Sequence, residues 1–176
     1  SSRLLYGAEI NGRRNLYLME LATGDAVQLT EGDALDDYGA MISADDKSVY
    51  YQQDRKVWKL DLANLQRTCL YAAPDGWDCG NWGMSDDNRY LVMTETRRDT
   101  LPALTGKKGW EFFPLTCAAK PLCHIVYLDT QTGEHHIVVE DRCWFGHAQL
   151  RPGDPDTILF CHEGPYDMID ARLWLI

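Results

Sequence analysis

The stretch Asn15–Leu29, NLYLMELATGDAVQL, alternates apolar and polar residues before a turn, and the chain repeats this pattern. Two further copies align with it without gaps: KVWKLDLANLQRTCL over Lys56–Leu70 and HIVYLDTQTGEHHIV over His124–Val138. A fourth copy begins at Arg172 with RLWLI. The complete copies hold an acidic residue in the same phase, at Glu20, Asp61 and Asp129. Alternation of this kind predicts β-strands, and the gapless repeat indicates that one unit has been duplicated.

A second repeated unit lies between these copies. It reads ISADDKSVYY from Ile42, MSDDNRYLVM from Met84 and LRPGDPDTILF from Leu150, and each version predicts a strand, an acidic turn and a strand. Periods of about 40 residues built from four short strands are typical of β-propeller blades. The sequence therefore predicts an all-β propeller fold with about four blades, the first and the last incomplete. The blades are expected at residues 3–31, 38–74, 80–141 and 146–176.

The alternative architecture is a β-sandwich or another antiparallel meander, in which alternation can arise from composition alone. The in-phase repeat favours the propeller. Incomplete first and last blades would leave unpaired strand edges, which natural proteins avoid. We therefore expect the missing blades to come from the rest of a longer polypeptide or from another chain. The acidic residues between strands are interpreted as turn residues: Asp33, Asp36, Asp37 and the pairs that begin at Asp45 and Asp86.

Composition narrows the class of protein. The chain has 176 residues, is 45% hydrophobic and carries a net charge of -10. This charge argues against nucleic acid as a partner, because affinity for phosphates rests on Lys and Arg. No segment approaches the roughly twenty apolar residues that span a membrane, and the N-terminus lacks a signal-peptide pattern. The six cysteines include no CxxC pair, so we expect reduced, mostly buried thiols in a cytoplasmic protein with no membrane partner.

Three histidines are predicted to meet at one end of the blades. In an antiparallel blade, the start of strand one, the end of strand two and the start of strand three share an end. The repeat register assigns these positions to His147, His162 and His124. His147 departs from the pattern of its own repeat, which has Gly39 and Asn81 at the equivalent positions.

Two connections between second and third strands are expected to cover the same face: the insertion 97–123 and the loop 163–170. Basic residues in the insertion predict a locally positive surface that suits small carboxylated ligands. For His162 the sequence favours a structural role, as a cap for Glu163 or a hydrogen-bond partner of the loop backbone. Arg172 is compatible with an ion pair to Asp167 or Asp170. The candidate substrate-contacting residues are His124, Arg98, His162, Glu163 and Arg172.

The stretch FGHAQLRPGDPDTILFCHEGPYDMIDARLWLI, Phe145–Ile176, resembles the oligogalacturonate lyases, which cleave pectin fragments. The resemblance reaches back through WEFF and RRDT in the insertion to NGRRNLYLMELATGDAVQLTEG near the start, so it covers essentially the whole chain. The block CHEGP, Cys161–Pro165, followed by DARLW, is its most specific part. The resemblance implies a cytoplasmic enzyme with a seven-bladed propeller that binds manganese and acts by β-elimination.

The resemblance also implies roles for single residues. The general base of the family matches His147 in the motif Gly146-His147. The family's manganese ligands would lie beyond Ile176, so no metal ligand is assigned within this chain. A family arginine aligns with His124, which is a departure. Three explanations are open: the alignment is shifted by a few residues, Lys120 or Arg98 takes the role of the arginine, or the activity is altered. The implied substrates are digalacturonate and trigalacturonate, and the implied product is a 4,5-unsaturated uronate.

Two other functions compete with a lyase. A non-catalytic propeller could bind uronates or a protein partner through the same face, because one fold serves many functions. A metal-dependent hydrolase is disfavoured, because the sequence shows no pair of carboxylates outside the turns, and no nucleophile beside a base, at a spacing useful for hydrolysis. The sequence thus predicts an oligogalacturonate lyase, and it leaves open whether this chain is complete and active by itself.

Overall fold

The computed structural model describes residues 2–32 and 35–176, and residues 36–38 by their backbone alone. This part of the chain contains fourteen strands and one α-helix. The strands are β1 (Arg3–Ile10), β2 (Arg13–Glu20), β3 (Ala26–Gln28), β4 (Leu35–Ile42), β5 (Ser48–Gln53), β6 (Lys56–Asp61), β7 (Arg67–Ala72), β8 (Trp77–Met84), β9 (Tyr90–Arg97), β10 (Leu122–Asp129), β11 (His135–Arg142), β12 (Phe145–Arg151), β13 (Asp154–His162) and β14 (Leu173–Leu175). The helix is α1 (Phe112–Ala119).

The strands form four antiparallel sheets, each a meander of consecutive strands. Their orders are β1-β2-β3, β4-β5-β6-β7, β8-β9-β10-β11 and β12-β13-β14. The all-β architecture predicted from the alternating pattern is confirmed. One detail of the prediction is wrong: Asp36 and Asp37 were expected in a turn, but they lie on β4. Asp33 lies outside the described residues.

The second sequence repeat has a physical cause in the turns between strands. Ser43 donates its hydroxyl to Asp45 at 2.6 Å and accepts the backbone N–H of Ser48 at 2.9 Å. In the equivalent turn, Ser85 donates to Asp87 at 2.7 Å. These hydroxyls, together with backbone N–H groups, lower the pKa of both aspartates. The serine and aspartate therefore satisfy the turn backbone, as expected of Asx-type turns.

The chain divides into two compact units, Ser1–Ala72 and Ala73–Ile176. In the first unit, four side chains from β2, β5 and β6 form an apolar cluster: Leu16, Val49, Tyr51 and Leu60. In the second unit, β12 packs on β8 and β9. Gly83 on β8 permits this contact, because a Cβ there would lie 3.1 Å from the carbonyl oxygen of Ala148. Each unit thus has its own apolar core between two sheets.

In three of the sheets, the pairing register between the first and second strands shifts at equivalent positions of the first strand. The breaks lie between Asp36 and Met41 on β4, and between Cys79 and Trp82 on β8. On β12 the break lies between Gly146 and Gln149 and contains His147. Bulges of this kind re-aim a side chain out of the alternating pattern. The bulge is therefore the local reason why His147 does not follow its neighbours Phe145 and Ala148 into the core.

All six cysteines are free thiols, as expected. Only Cys123 and Cys161 are buried, whereas Cys69 is exposed, so the prediction that most of them are buried is wrong. In the described residues, no helix has the length and apolar character needed to span a membrane.

His162 lies inside an aromatic stack that links the three strands of the last sheet. Its ring stacks on Phe145 with centroids 5.4 Å apart and on Trp174 with centroids 4.6 Å apart. The ring is half-buried. Burial lowers the pKa of His162, and the carboxylate of Asp141 acts in the opposite direction. The folded state therefore favours the neutral ring.

The lowered pKa of His162 predicts a loss of stability in mild acid. The unfolded chain binds a proton near the ordinary histidine pKa of about 6.5, whereas the folded chain binds it at lower pH. The free energy of unfolding is thus undiminished above about pH 6.5 and falls as the pH drops from about 6.5 to the folded pKa, below which this contribution stays constant. His162→Phe keeps a ring in the stack, so the urea midpoint of this variant should fall less between about pH 7.5 and pH 5.5.

The control for this prediction is His135→Phe, which changes an exposed histidine on β11. This variant should show the same pH dependence as the parent protein. An equal fall in the midpoint of His162→Phe and the parent would contradict the assignment to His162.

Candidate active site

The insertion between β9 and β10 brings four aromatic side chains together. Trp110 stacks on Phe112 with ring centroids 5.7 Å apart. Phe113 meets Trp144, which precedes β12, in an edge contact at 5.3 Å. Phe112 contacts Trp144 as well, at 6.1 Å. We call these four side chains the aromatic wall.

The insertion is shaped by the short helix α1. The sequence predicted no helix of three turns, and α1 has eight residues, about two turns. It ends at Ala119, and the capping residue Lys120 adopts a left-handed conformation with φ of 47°. The hydroxyl of Thr100 accepts the backbone N–H of Leu122 at 3.0 Å and so ties the two ends of the insertion together.

A cavity of about 330 Å³ opens beside the aromatic wall. Its polar end is formed by three ionisable side chains, His147, Glu163 and Arg172. Asn81 also contributes to the lining. An apolar pocket with a few convergent polar groups is the usual form of a small-molecule site. The cavity is therefore the candidate active site.

Glu163 stands at the centre of the polar end. It is only 7% exposed. Its Oε2 accepts a hydrogen bond from Arg172 Nη1 at 3.1 Å, and its Oε1 lies 3.3 Å from His147 Nε2. The backbone N–H of Glu163 donates to the carbonyl of Trp144 at 2.7 Å. The carboxylate is thus held between a guanidinium and an imidazole.

Gly146 is required beside this carboxylate. A Cβ at Gly146 would lie 2.5 Å from Glu163 Oε1 and 2.7 Å from its Cγ, much closer than side-chain atoms approach. Any other residue would displace Glu163 from Arg172. The glycine of the Gly146-His147 motif therefore has a steric cause.

Arg172 is fixed by its environment before any ligand binds. Its Nη2 donates to the carbonyl of Gly164 at 2.6 Å. The guanidinium lies 4.9 Å from the ring centroid of Tyr166 and 5.9 Å from that of Phe113. Cation–π contacts of this kind favour a positive charge at a defined position. The partner of Arg172 is Glu163, and not Asp167 or Asp170 as the sequence allowed.

His147 lies at the mouth of the cavity. Its side chain is 61% exposed, and its backbone φ is 52°. A positive φ is uncommon for a residue other than glycine and often accompanies function. His147 thus combines an accessible imidazole with a backbone that the β12 bulge holds in an unusual conformation.

Three predicted site residues lie outside the cavity lining. His124 is buried on β10, where Nε2 lies 2.8 Å from Glu140 and Nδ1 lies 3.5 Å from Glu95. Arg98 faces Asp78 at 3.7 Å. His162 belongs to the stack between Phe145 and Trp174. The structure therefore brings His147, Glu163 and Arg172 together, but it does not bring His124, Arg98 and His162 to them.

The aromatic wall was not predicted as part of the site. WEFF, Trp110–Phe113, contributed to the family resemblance, but no role was assigned to it. The available signal was a run of aromatic residues inside a polar insertion, where the apolar alternation of the blades is interrupted. Large exposed apolar side chains on one loop often mark a binding surface.

The described residues do not form a metal site. Among the side chains that the structure describes, those of residues 2–32, 35 and 39–176, no three of His, Cys, Asp or Glu converge in a way that could hold a metal ion. In particular, Glu95 and Glu140 approach different nitrogens of His124 and do not share a common point with it.

Comparison with known proteins identifies close relatives. The family model described as oligogalacturonate lyase matches residues 1–176. The oligogalacturonate lyase of Dickeya dadantii (strain 3937) is 38% identical over 177 residues, which cover 99% of this chain and 45% of that protein. A solved oligogalacturonate lyase in complex with manganese has a TM-score of 0.92 at 39% identity, covering 99% of this chain and 46% of the other.

A more distant structure bears on the fold alone. The tricorn protease, a β-propeller protein, has a TM-score of 0.62 at 10% identity and covers 90% of this chain and 14% of its own. Together with the lyase structure, this likeness confirms the predicted β-propeller fold. The chain spans less than half the length of the relatives it matches. Because the family model matches the whole chain, the chain belongs to the oligogalacturonate lyase family.

Proposed function

We propose that this chain forms part of an oligogalacturonate lyase that cleaves short oligogalacturonides in the cytoplasm. The reaction is a β-elimination that leaves a 4,5-unsaturated uronate, and digalacturonate and trigalacturonate are the proposed substrates. The observation that carries the proposal is the cavity in which an imidazole, a carboxylate and a guanidinium meet beside an aromatic wall. Membership of the lyase family supports it.

β-Elimination from a uronate requires a base and a cation. The base removes the proton from C5, the electron pair of that bond forms the C4–C5 double bond, and the C4–O bond breaks. The leaving oxygen takes up a proton. Negative charge accumulates on the C6 carboxylate meanwhile, so a fixed positive charge nearby lowers the barrier. A neutral imidazole is a suitable base near neutral pH.

The proposed roles follow from the geometry of the cavity. His147 acts as the base, because its ring is accessible at the mouth. Arg172 supplies positive charge at the same end, since its guanidinium lines the cavity. The aromatic wall offers a surface for the C–H face of a pyranose ring. In this arrangement, a bound uronate presents its carboxylate to Arg172 and its C5 proton to His147.

Manganese is part of the proposal only through the related structure that contains it. Among the residues whose side chains the structure describes, 2–32, 35 and 39–176, no metal site forms, and we propose that the manganese ligands lie beyond Ile176. A manganese ion bound there would supply further positive charge to the uronate carboxylate. The roles of His147 and Arg172 are derived without it.

Non-catalytic binding of uronates is the second candidate function. It is favoured by one observation: both terminal nitrogens of Arg172 already donate to protein oxygens, on Glu163 and Gly164. An arginine engaged in this way can serve as a structural clamp. Binding of digalacturonate without turnover, unchanged by a chelator, would support this candidate over the lyase.

Replacement of His147 tests the proposed base. His147→Asn should lower kcat on digalacturonate roughly 10²–10⁴-fold, because general-base catalysis contributes about this much. Asparagine tolerates a positive φ, so the bulge should persist and the urea midpoint should change little. The measurement is the rate of formation of the ultraviolet-absorbing unsaturated product. His135→Asn, which changes an exposed histidine, should retain the parent rate; parent-like activity in His147→Asn would exclude this role.

Replacement of Trp110 tests the aromatic wall. Trp110 is 77% exposed, so Trp110→Ala should leave the fold intact. We expect KM for digalacturonate to rise about fivefold to tenfold while kcat stays within about twofold, because a stacking contact binds substrate and transition state alike. Leu104→Ala is the control on the same insertion and should leave KM unchanged. An unaltered KM in Trp110→Ala would show that sugars do not bind against the wall.

A further inference from the structure

We propose that the exposed ring of Tyr166 is a further saccharide subsite, which stacks on the pyranose ring of a third galacturonate unit. The cavity and the aromatic wall receive the other two units. This inference deepens the proposed lyase function and rests on it. It gives a role to an aromatic side chain that lies next to the cavity but outside its lining.

The first support is the exposure of the ring. Among the large apolar and aromatic side chains that the structure describes, Tyr166 and Trp110 are the most exposed, at 82% and 77%. A single exposed aromatic side chain is common on protein surfaces. Two such side chains beside one cavity form an apolar surface of the kind that often marks a binding site.

The second support is the contact between Tyr166 and the polar end of the cavity. The guanidinium of Arg172, which lines the cavity, lies 4.9 Å from the ring centroid of Tyr166 and 5.9 Å from that of Phe113. Phe113 belongs to the aromatic wall, so Arg172 connects the wall to Tyr166. Because Arg172 lies over one face of the tyrosine ring, the exposed opposite face is available to a sugar.

The third support is the rigidity of the loop that carries Tyr166. The loop packs closely on α1, since a Cβ at Gly164 would collide with the side chain of Cys117. Pro165 fixes its own φ, and its carbonyl accepts the backbone N–H of Met168 at 2.9 Å. A ring that is held in place before binding loses little conformational entropy when a sugar stacks on it.

The fourth support is the size of the cavity. Its volume of about 330 Å³ is near the lower end of the range for small-molecule sites, about 300–1,000 Å³. We therefore expect an acidic oligosaccharide of three units to extend beyond it. The part outside needs a surface that meets both the C–H face of a sugar and water. A tyrosine ring with a polar hydroxyl provides such a surface.

Tyr166→Ala separates a saccharide subsite from simple support of Arg172. For this variant, kcat/KM should fall about threefold to tenfold more on trigalacturonate than on digalacturonate. The extra loss should appear in KM, because a stacking contact binds substrate and transition state alike. If the ring only supported Arg172, both substrates would lose activity equally. The measurement is the rate of formation of the ultraviolet-absorbing unsaturated product.

The experiment uses the polypeptide as its source produces it, loaded with manganese. Tyr166→Phe keeps the aromatic face and should keep the parent ratio of kcat/KM between the two substrates. Met168→Ala, on the same loop, is the matched control and should also keep this ratio. The urea midpoint of Tyr166→Ala should stay close to that of the parent, since the ring is exposed.

Three outcomes would overturn the subsite: equal losses on both substrates, no loss on either, or a lowered urea midpoint with an unchanged ratio. The last would show that the rest of the polypeptide covers the ring. The lyase proposal fails separately, if the parent forms no unsaturated product. The saccharides are then not consumed, and calorimetric titration decides the matter. A Kd for trigalacturonate that weakens about threefold to tenfold in Tyr166→Ala, relative to that for digalacturonate, supports the subsite, and parent-like values overturn it.

Discussion

The buried carboxylate of Glu163 is the interaction on which the rest of the site depends. A charge removed from water is unfavourable unless it is paired and hydrogen-bonded. Arg172 supplies the opposite charge, and Gly146 supplies the space. These residues come from three separate stretches, which together fix the mouth of the cavity. Loss of Arg172 would leave the buried carboxylate without an opposite charge, and a side chain at Gly146 would displace the carboxylate.

The site also depends on an irregularity that the repeats share. A register break recurs in β4, β8 and β12, at positions that carry Gly39, Asn81 and His147. In the sheets that contain β4 and β8, the residues at this position, Gly39 and Asn81, cannot act as a base. In the last sheet, the same backbone feature carries an imidazole to the edge of a cavity. The bulge that the repeated units share thus positions the imidazole of His147 in the last sheet.

The remainder of the cavity comes from a segment outside the repeat. The insertion between β9 and β10 contributes Trp110, Phe112 and Phe113, which meet Trp144 from the start of the next sheet.

Strand β14 leaves Leu173 and Leu175 more than 60% exposed, at 63% and 67%. Rows of exposed apolar side chains are normally covered in a folded protein. The chain spans about 45% of its curated relatives, and the covering of this face is proposed to come from the missing blades.

The sequence by itself determined the strands, their meander order and the all-β propeller fold, because alternation and in-phase repeats are local properties. It also singled out His147 as a departure from its own repeat. The family followed from the resemblance carried by the stretch Phe145–Ile176. Only the tertiary structure decided which candidates meet: Glu163 and Arg172 lie beside His147. The ring of His124 instead contacts two carboxylates on the strands that neighbour β10, and His162 packs in an aromatic stack. The physical reason is that strand register assigns residues to one end of a sheet, but the bulge, the insertion and the packing of buried charge decide which side chains share a cavity.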